Sequence, residues 1–321
     1  MPPEAAIVLS LALLAELAVG DPVSPLHPVA LLGRLIAKLV VLAPNRGDVI
    51  RLLYGAAMVL GVGVGVAFVS TLILDILDGI SPPVAIIAGA LLLKVSMSYR
   101  QLDRETLTVA DEIAAGDLIG ARNTLRALVS RDTESLPSSL LTSSAIESLA
   151  ENLSDSWVGP LFYFALFGVP GAVAYRAINT LDAMIGYRGQ FEHLGKVAAR
   201  LDDLVNLIPA RLTALLLVSA AIVARAHPGR AASHAFRDHK RTESPNAGWP
   251  MAAMAGALGV QLEKVGHYRL GDPQAERTPS TIRRGIHIAR WTAALAATFA
   301  LVAVTVLSIS ADVIVPLLQQ H

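Results

Sequence analysis

Three stretches of the chain stay apolar, with no charged side chain, for about the 20 residues that a helix needs to cross a bilayer. They are residues 52–74, 156–175 and 291–311. The pattern therefore predicts a membrane helix at each of these positions.

Shorter or interrupted apolar runs lie at residues 5–20, 79–93, 204–224 and 246–262. Such runs span a membrane with help, re-enter it, or pack against other helices. Counting them gives roughly four to seven membrane helices. Because strand patterning is weak throughout, we predict an all-α fold, a polytopic membrane helical bundle formed by one integral-membrane domain over residues 1–321.

Long polar segments separate these runs. Residues 98–155 and 225–290 have apolar positions at helical spacing and are predicted to be extramembrane helical segments. Together with residues 21–51 they carry 20 Lys and Arg, whereas residues 179–206 carry 3. The positive-inside rule then makes the first group cytoplasmic. The sequence FGVPG at 167–171 leaves a re-entrant pair of half-helices as an alternative topology.

Composition supports a membrane protein and excludes several kinds of chemistry. Hydrophobic residues make up 54% and charged residues 16% of the chain, against roughly 45–50% and about 25% in soluble domains. Cysteine is absent, which excludes disulfides and thiolate sites. The net charge is zero and no basic tract is interleaved with aromatic residues, so nucleic acid is not expected as a partner. There is no P-loop or HExxH motif.

Three acids recur at helical spacing just before the second long apolar run. Glu147, Glu151 and Asp155 lie four residues apart and share one helix face, where like charges repel by a few tenths of a kcal/mol. One interpretation is a solvated acidic face. The other is a site for Mg²⁺ or for an ammonium group, because hard cations bind carboxylate oxygens.

A second polar cluster lies between two apolar runs, at residues 179–211. Its members are Asn179, Asp182, Arg188, Arg200, Asp202, Asp203, Asn206 and Arg211. Ionisable residues at membrane boundaries are costly and are usually functional. The cluster predicts a site that gathers a metal and phosphate oxygens, and an interfacial loop of paired charges is the alternative.

Two further segments carry candidate groups. The segment GDPVSPLHPVALLGRL contains Asp21 and His27, and the imidazole is suited to acid or base chemistry near neutral pH. The segment SPNAGWP contains Asn246 and Trp249 after a basic group, which fits an anion site or a cytoplasmic anchor.

Six segments, taken in order, resemble the adenosylcobinamide-phosphate synthase family of cobalamin biosynthesis. They are LAVGDPVSPLHPVALLGRLI, LVSRDT, AIESLAENLSDSWVGPLFY, YRAINTLDAMIGYR, ARLDDLVNLIPARLTALLL and SPNAGWPMAAMAGALGV. The resemblance runs from about residue 7 to about residue 290.

The resemblance implies a multi-pass enzyme of the cell membrane, and the positive-inside rule predicts that its active face is cytoplasmic. Its expected reaction joins the free propionate carboxyl of adenosylcobyric acid, a corrinoid, to (R)-1-amino-2-propanol phosphate or to free aminopropanol. The reaction is an ATP-dependent amide ligation, for which Mg²⁺ is expected. The lipid bilayer and other membrane enzymes of cobalamin assembly are the further expected partners.

Roles for individual residues are hypotheses under this resemblance. Catalytic candidates are Glu147, Glu151, Asp182, Asp202 and His27. Candidate Mg²⁺ ligands are Glu147, Glu151, Asp155, Asp202 and Asp203. Candidate substrate contacts are Asp21, Arg131, Asp132, Asn152, Asn179, Tyr187, Arg188, Arg200, Asn206, Arg211, Asn246 and Trp249.

Two other functions stay open at this point. An aspartate-rich, Mg²⁺-dependent membrane prenyltransferase would use Asp182, Asp202 and Asp203, although their spacing fits that class imperfectly. A transporter or signalling protein would use the acids and arginines as gating pairs, and internal inverted repeats, which would favour a transporter, are not visible in the sequence.

Overall fold

The structure is a computed structural model that describes residues 4–20, 27–129, 132–187 and 189–318, with side chains up to residue 310. Its helices are α1 (Ala5–Ala18), α2 (Pro28–Val41), α3 (Asp48–Ile80), α4 (Pro82–Lys94), α5 (Tyr99–Ala114), α6 (Leu118–Arg126), α7 (Ser138–Leu153), α8 (Gly159–Ile185), α9 (Lys196–Val205), α10 (Leu207–Val223), α11 (Pro228–Asp238), α12 (Gly248–Leu258) and α13 (Pro279–Leu318). A π-helical turn (Ser154–Val158) joins α7 to α8, and a 3₁₀ turn (His239–Arg241) follows α11. The predicted all-α fold is confirmed, and the described residues add one antiparallel hairpin, β1 (Leu262–Lys264) and β2 (Tyr268–Leu270).

Within the described residues, four helical stretches are long and apolar enough to cross a membrane: Asp48–Ile80, Pro82–Ala114, Ser138–Ile185 and Pro279–Ser310. A fifth exists if α9 and α10 are counted as one broken span. The three long runs of the sequence fall inside three of these helices, as predicted. Large apolar side chains such as Phe68 are exposed on α3, as expected for a helix that faces lipid tails.

The FGVPG segment bends α8. Gly168 has φ 66° and ψ −159°, which interrupts the helical backbone, and Pro170 follows within the same helix. Glycine adopts a positive φ readily, and proline cannot donate the hydrogen bond that a continuous helix needs. The break predicted from the sequence is present, while the re-entrant topology stays a prediction.

The chain forms two compact units, each assembled from separate stretches of sequence. The first unit comprises Met1–Ser98, Gly159–Val205 and Ala297–His321, and the second comprises Tyr99–Val158 and Asn206–Ala296. Both predicted extramembrane segments lie almost entirely within the second unit. Their position outside a membrane, and the single domain predicted for residues 1–321, stay predictions.

In the first unit, α3 packs on α8 and α9. Met58 and Val62 of α3 meet Ala177 and Leu181 of α8 in one buried cluster, to which Ala198 of α9 also belongs. This apolar packing fixes α9 beside the end of α8 and so positions the polar residues that both helices carry.

In the second unit, α12 lies in the core against α10 and α11. Every residue of α12 except Trp249 is buried. A Cβ at Gly256 would lie 2.4 Å from the carbonyl oxygen of Arg230 in α11, so the missing side chain allows the two helices to approach closely. The hairpin β1–β2 follows α12 and packs against α7.

Candidate functional site

Glu147 in α7 is held by two hydroxyl groups. Ser143, one turn earlier, donates to Glu147 Oε1 over 2.8 Å, and Tyr268 of β2 donates to Oε2 over 2.8 Å. The Glu263 backbone N–H donates in turn to the Ser143 hydroxyl over 2.7 Å. Glu147 is 1% exposed, and a buried carboxylate requires such donors. The bonds fix one carboxylate and attach the hairpin to α7.

A polar cavity of about 210 Å³ lies beside this carboxylate. It is lined by Leu128, Val129, Glu147, Ser148, Glu151, Thr242, Glu243, Ser244, Ala247, Met251, Lys264, His267 and Tyr268. All of these residues belong to the second unit. Because carboxylates, a lysine and hydroxyl groups share one small cavity, we take it as the candidate site.

Two of the three predicted acids, Glu147 and Glu151, line this cavity, whereas Asp155 lies in the π-helical turn and is not among the lining residues. Asn152 bonds within its own helix, donating to the Ser148 carbonyl oxygen over 3.0 Å and to its hydroxyl over 2.9 Å. The Asn152 amide thus fixes Ser148, which does line the cavity.

Asp132 lies at a second, smaller cavity of about 160 Å³. Its carboxylate accepts the Glu134 backbone N–H over 2.9 Å. Lys264 and His267 line this cavity as well as the first one, so the hairpin separates the two. Asp132 is close to the candidate site but does not line the cavity that holds Glu147.

No role at the site was predicted from the sequence for several residues that line this cavity, among them Lys264, His267, Tyr268 and Glu243. The signal that was available is the segment LEKVGHYRL, in which two short polar-apolar alternations flank a glycine, a pattern typical of a β-hairpin. Strands of three residues give too little periodicity for that pattern to stand out in a helical protein.

Part of the second predicted cluster, on α8 and α9, is brought together within the first unit, whereas Asn206 and Arg211 belong to the second unit. Asn179 of α8 donates to Asp202 Oδ1 of α9 over 3.4 Å, and Arg200 lies 3.9 Å from Asp203. Asp182 is half-buried one turn after Asn179, while the side chain of Arg200 is 78% exposed. Tyr187, just after α8, is also exposed. These contacts fit both the metal-phosphate interpretation and the alternative of paired interfacial charges.

Arg211 is engaged in holding the SPNAGWP segment. Its guanidinium donates to Asn246 Oδ1 over 3.0 Å and to the Leu207 carbonyl oxygen over 2.7 Å. It also lies 5.1 Å from the centroid of the Trp249 ring, on which His239 stacks. Arg211 therefore contacts both Asn246 and Trp249, and none of the three lines the candidate cavity.

The remaining predicted residues do not line this cavity or lie outside the described residues. Asn206 is buried at the start of α10, and His27 immediately precedes α2. Asp21, Arg131 and Arg188 lie outside the described residues. Among the described residues, no three His, Asp or Glu side chains are grouped so as to hold a metal ion.

A network of charges in the second unit joins the end of α11 to the residues that follow β2. Arg237 forms two hydrogen bonds with Asp238, of 2.9 and 2.8 Å, and two with Asp272, of 3.1 and 3.0 Å. Burial of Asp238 acts to raise its pKa, but hydrogen bonds from Arg237 and Gly271 N–H outweigh burial and lower it. The hydrogen bonds from Arg237 likewise lower the pKa of Asp272. Both carboxylates are thus stabilised in the charged form.

The chain is similar to known proteins over most of its length. The family model described as "CobD/Cbib protein" matches residues 9–311. A "Cobalamin biosynthesis protein CobD" of Dehalococcoides mccartyi is 45% identical over 280 residues, covering 87% of this chain and 91% of that protein. A "Probable cobalamin biosynthesis protein CobD" of Methanothermobacter thermautotrophicus is 41% identical over 269 residues, covering 83% and 86%. No solved structure matches the chain.

Proposed function

The chain belongs to the CobD/Cbib protein family, and we propose that it acts in cobalamin biosynthesis as an adenosylcobinamide-phosphate synthase. The proposed reaction joins the free propionate carboxyl of adenosylcobyric acid to the amine of (R)-1-amino-2-propanol phosphate, or of aminopropanol. The observation that carries the proposal is the family match over nearly the whole chain. The relatives' names support the pathway, and the charged cavity of the second unit supports an enzyme.

A carboxylate becomes an acylating agent only when one of its oxygens is converted into a leaving group. In the proposed reaction the propionate oxygen attacks the γ-phosphorus of ATP, and ADP leaves as the acyl phosphate forms. The amine then attacks the acyl carbon, the C–N bond forms and inorganic phosphate leaves. The amine gives up its proton in this step, so a base is needed within hydrogen-bonding reach.

Glu151 is the proposed base. It is half-buried and lines the cavity beside Glu147, so its carboxylate is accessible to a bound amine while Glu147 is enclosed by its donors. Ser143 and Tyr268 hold the Glu147 carboxylate in place. We propose that Glu147 positions the reacting groups and that Glu151 accepts the proton.

ATP and Mg²⁺ are proposed as the co-substrate and its counter-ion. Mg²⁺ usually keeps several waters and is bound by one or two carboxylates together with substrate phosphates. Asp202 and Asp203 of α9 are such a pair of carboxylates, so the residues fit such an ion without a three-ligand cluster. When bound, it would neutralise negative charge that develops on the transferred phosphoryl group.

The long apolar helices support a multi-pass membrane protein. We propose the cell membrane as its location and the cytoplasmic face as the position of the site, since the second unit holds most of the basic residues of the chain. Further membrane enzymes of cobalamin assembly are proposed as partners because substrate and product are shared with such enzymes.

The test is amide formation by the purified protein in detergent, with adenosylcobyric acid, aminopropanol phosphate, Mg²⁺ and ATP. Mass spectrometry of the corrinoid should show the gain expected for one amide bond, only when ATP is present. Glu151→Gln should lower the rate by about 10²–10⁴-fold if Glu151 is the base. Glu276→Gln changes an exposed glutamate of the same unit that does not line the cavity, and it serves as the matched control.

Absence of product with every nucleotide, from folded protein that binds the corrinoid, would exclude the ligase and favour a carrier. A Glu151→Gln variant as active as the wild type would keep the reaction but remove Glu151 from the role of base.

A further inference from the structure

The register of the hairpin decides which of its side chains face α7. Lys264 is paired directly with Tyr268, and Glu263 with Arg269. Directly opposed residues of an antiparallel pair lie on the same face of the sheet. Because the Tyr268 hydroxyl bonds to Glu147, the face that carries Tyr268 is the face toward α7, and Lys264 shares it. Glu263 and Arg269 lie on the other face and bond to each other over 2.7 Å.

The positive charge of Lys264 has no counter-ion within the described part of the chain. Its side chain is half-buried, yet its ammonium forms no hydrogen bond or ion pair with any described residue. The neighbouring arginines differ, since Arg237 and Arg269 are both paired with carboxylates. A partly buried cation without a counter-ion is costly, so the position is suited to an anion that arrives with a ligand.

The same cavity also contains carboxylates. Glu147 and Glu151 line it together with Lys264, but neither acid is within ion-pair distance of Lys264 in the described structure. One small cavity thus offers a positive group and three carboxylates, those of Glu147, Glu151 and Glu243, and among the described residues Lys264 forms no ion pair with any of them. A ligand with an ammonium at one end and an anion at the other would complement both.

The size of the cavity restricts the ligand. Its volume is about 210 Å³, below the roughly 300–1,000 Å³ of pockets that enclose drug-sized ligands. A whole nucleotide or a corrinoid is too large for it. A three-carbon amino alcohol phosphate is small, and it carries an ammonium and a phosphate at opposite ends.

We propose that this cavity is the subsite for the amino alcohol phosphate, with Lys264 binding the phosphate and Glu151 binding the ammonium. The inference rests on the proposed function, which it extends by assigning a place to the second substrate. A lysine ammonium binds phosphate as a point charge. Lys264 is a binding residue, and it makes the phosphorylated amine preferable to the free amine.

The first test compares two amines with the Lys264→Ala variant. The ratio of kcat/KM for (R)-1-amino-2-propanol phosphate to kcat/KM for (R)-1-amino-2-propanol should fall by at least about 10-fold, since loss of a partner from a desolvated charge pair typically costs more than this. Lys264→Arg keeps the positive charge, so its kcat/KM ratio should fall less than that of Lys264→Ala. Lys240→Ala removes an exposed lysine of the same unit that does not line the cavity, and its ratio should equal that of the wild type.

An unchanged ratio in Lys264→Ala, with amide still formed, would overturn the inference while the proposed function stands. A raised KM for ATP with an unchanged ratio would assign Lys264 to the nucleotide phosphates instead, which also overturns the subsite.

A binding measurement separates this inference from the reaction itself. Calorimetric titration of the wild-type protein in detergent with the amino alcohol phosphate should give a heat that disappears in Lys264→Ala and persists in Lys240→Ala. This result would support the subsite even if no amide were formed and the proposed ligase had failed. Wild-type protein that does not bind the compound, or equal affinity in the folded Lys264→Ala variant, would overturn the subsite.

Discussion

Tyr268 donates its phenolic hydrogen to Glu147 Oε2 over 2.8 Å, joining two residues that are 121 positions apart in the chain. The bond brings a two-stranded hairpin onto a buried helix, and it accompanies the bond from Glu263 N–H to Ser143. Because Lys264 is paired with Tyr268 in the hairpin, the same attachment places a lysine beside the acids of α7. The charge arrangement of the cavity thus depends on this attachment of the hairpin to α7.

Tyr268→Phe should therefore lower both stability and activity. The change keeps the ring but removes the hydrogen bond from the Tyr268 hydroxyl to the buried Glu147 carboxylate, and loss of such a bond costs about 1–3 kcal/mol. We expect a lower Tm in detergent and a higher KM for the amine, because the hairpin is held less firmly. Tyr187→Phe is the stability control, since Tyr187 is 49% exposed. Equal Tm values for Tyr268→Phe and the wild type would show that the bond does not hold the hairpin.

The carboxylates bonded to Arg237 should make the second unit sensitive to acid. The pKa values of Asp238 and Asp272 are lowered in the folded protein, against about 3.9 for an unfolded aspartate. Their contribution to stability is then fully present above the unfolded pKa and is lost as the pH falls through the folded values.

Thermal unfolding measured from about pH 7 to about pH 3 tests this sign. The wild-type Tm should fall as the pH approaches about 3. The Tm of Arg237→Met should be lower than that of the wild type at neutral pH and should change less with pH. Parallel curves for the two proteins would mean that the Arg237 bonds do not set the acid response.

The long apolar runs were predictable because about 20 successive apolar residues have few alternatives to a membrane helix. The kink in α8 was predictable for a similarly local reason, since Gly168 and Pro170 act on their own backbone. In contrast, the hydrogen bond between Arg211 and Asn246 joins two predicted substrate contacts, and nothing near either residue in sequence indicates it. Lys264 was missed because its position depends on the pairing of two three-residue strands with a helix more than 100 residues away.

The close approach of α11 and α12 should depend on Gly256. A Cβ there would lie 2.4 Å from the Arg230 carbonyl oxygen and 2.7 Å from its carbonyl carbon, and backbone atoms cannot move aside as a side chain can. Gly256→Ala should destabilise the protein by about 1–3 kcal/mol through overpacking, measured as a fall in Tm.

Gly229→Ala is the matched control, because a Cβ at Gly229 meets nothing within 4 Å. Its Tm should equal or exceed that of the wild type, since alanine restricts the unfolded chain more than glycine. A tolerated Gly256→Ala would show that the two helices separate at little cost.

A buried ion pair in the first unit gives a further prediction. Glu16 of α1 lies 3.4 Å from Lys94 of α4, and their side chains are 0% and 7% exposed. Glu16 is unexpected within an apolar run, and its cation lies 78 residues away, where no local pattern reveals it.

Removing one partner of a buried pair typically costs about 3–5 kcal/mol, whereas replacing both with neutral groups is often tolerated. Lys94→Met should therefore lower the Tm strongly, and the double variant Glu16→Gln with Lys94→Met should recover most of the loss. If the two substitutions instead add, so that the double variant is less stable than Lys94→Met alone, the pair does not join α1 to α4 as its geometry indicates.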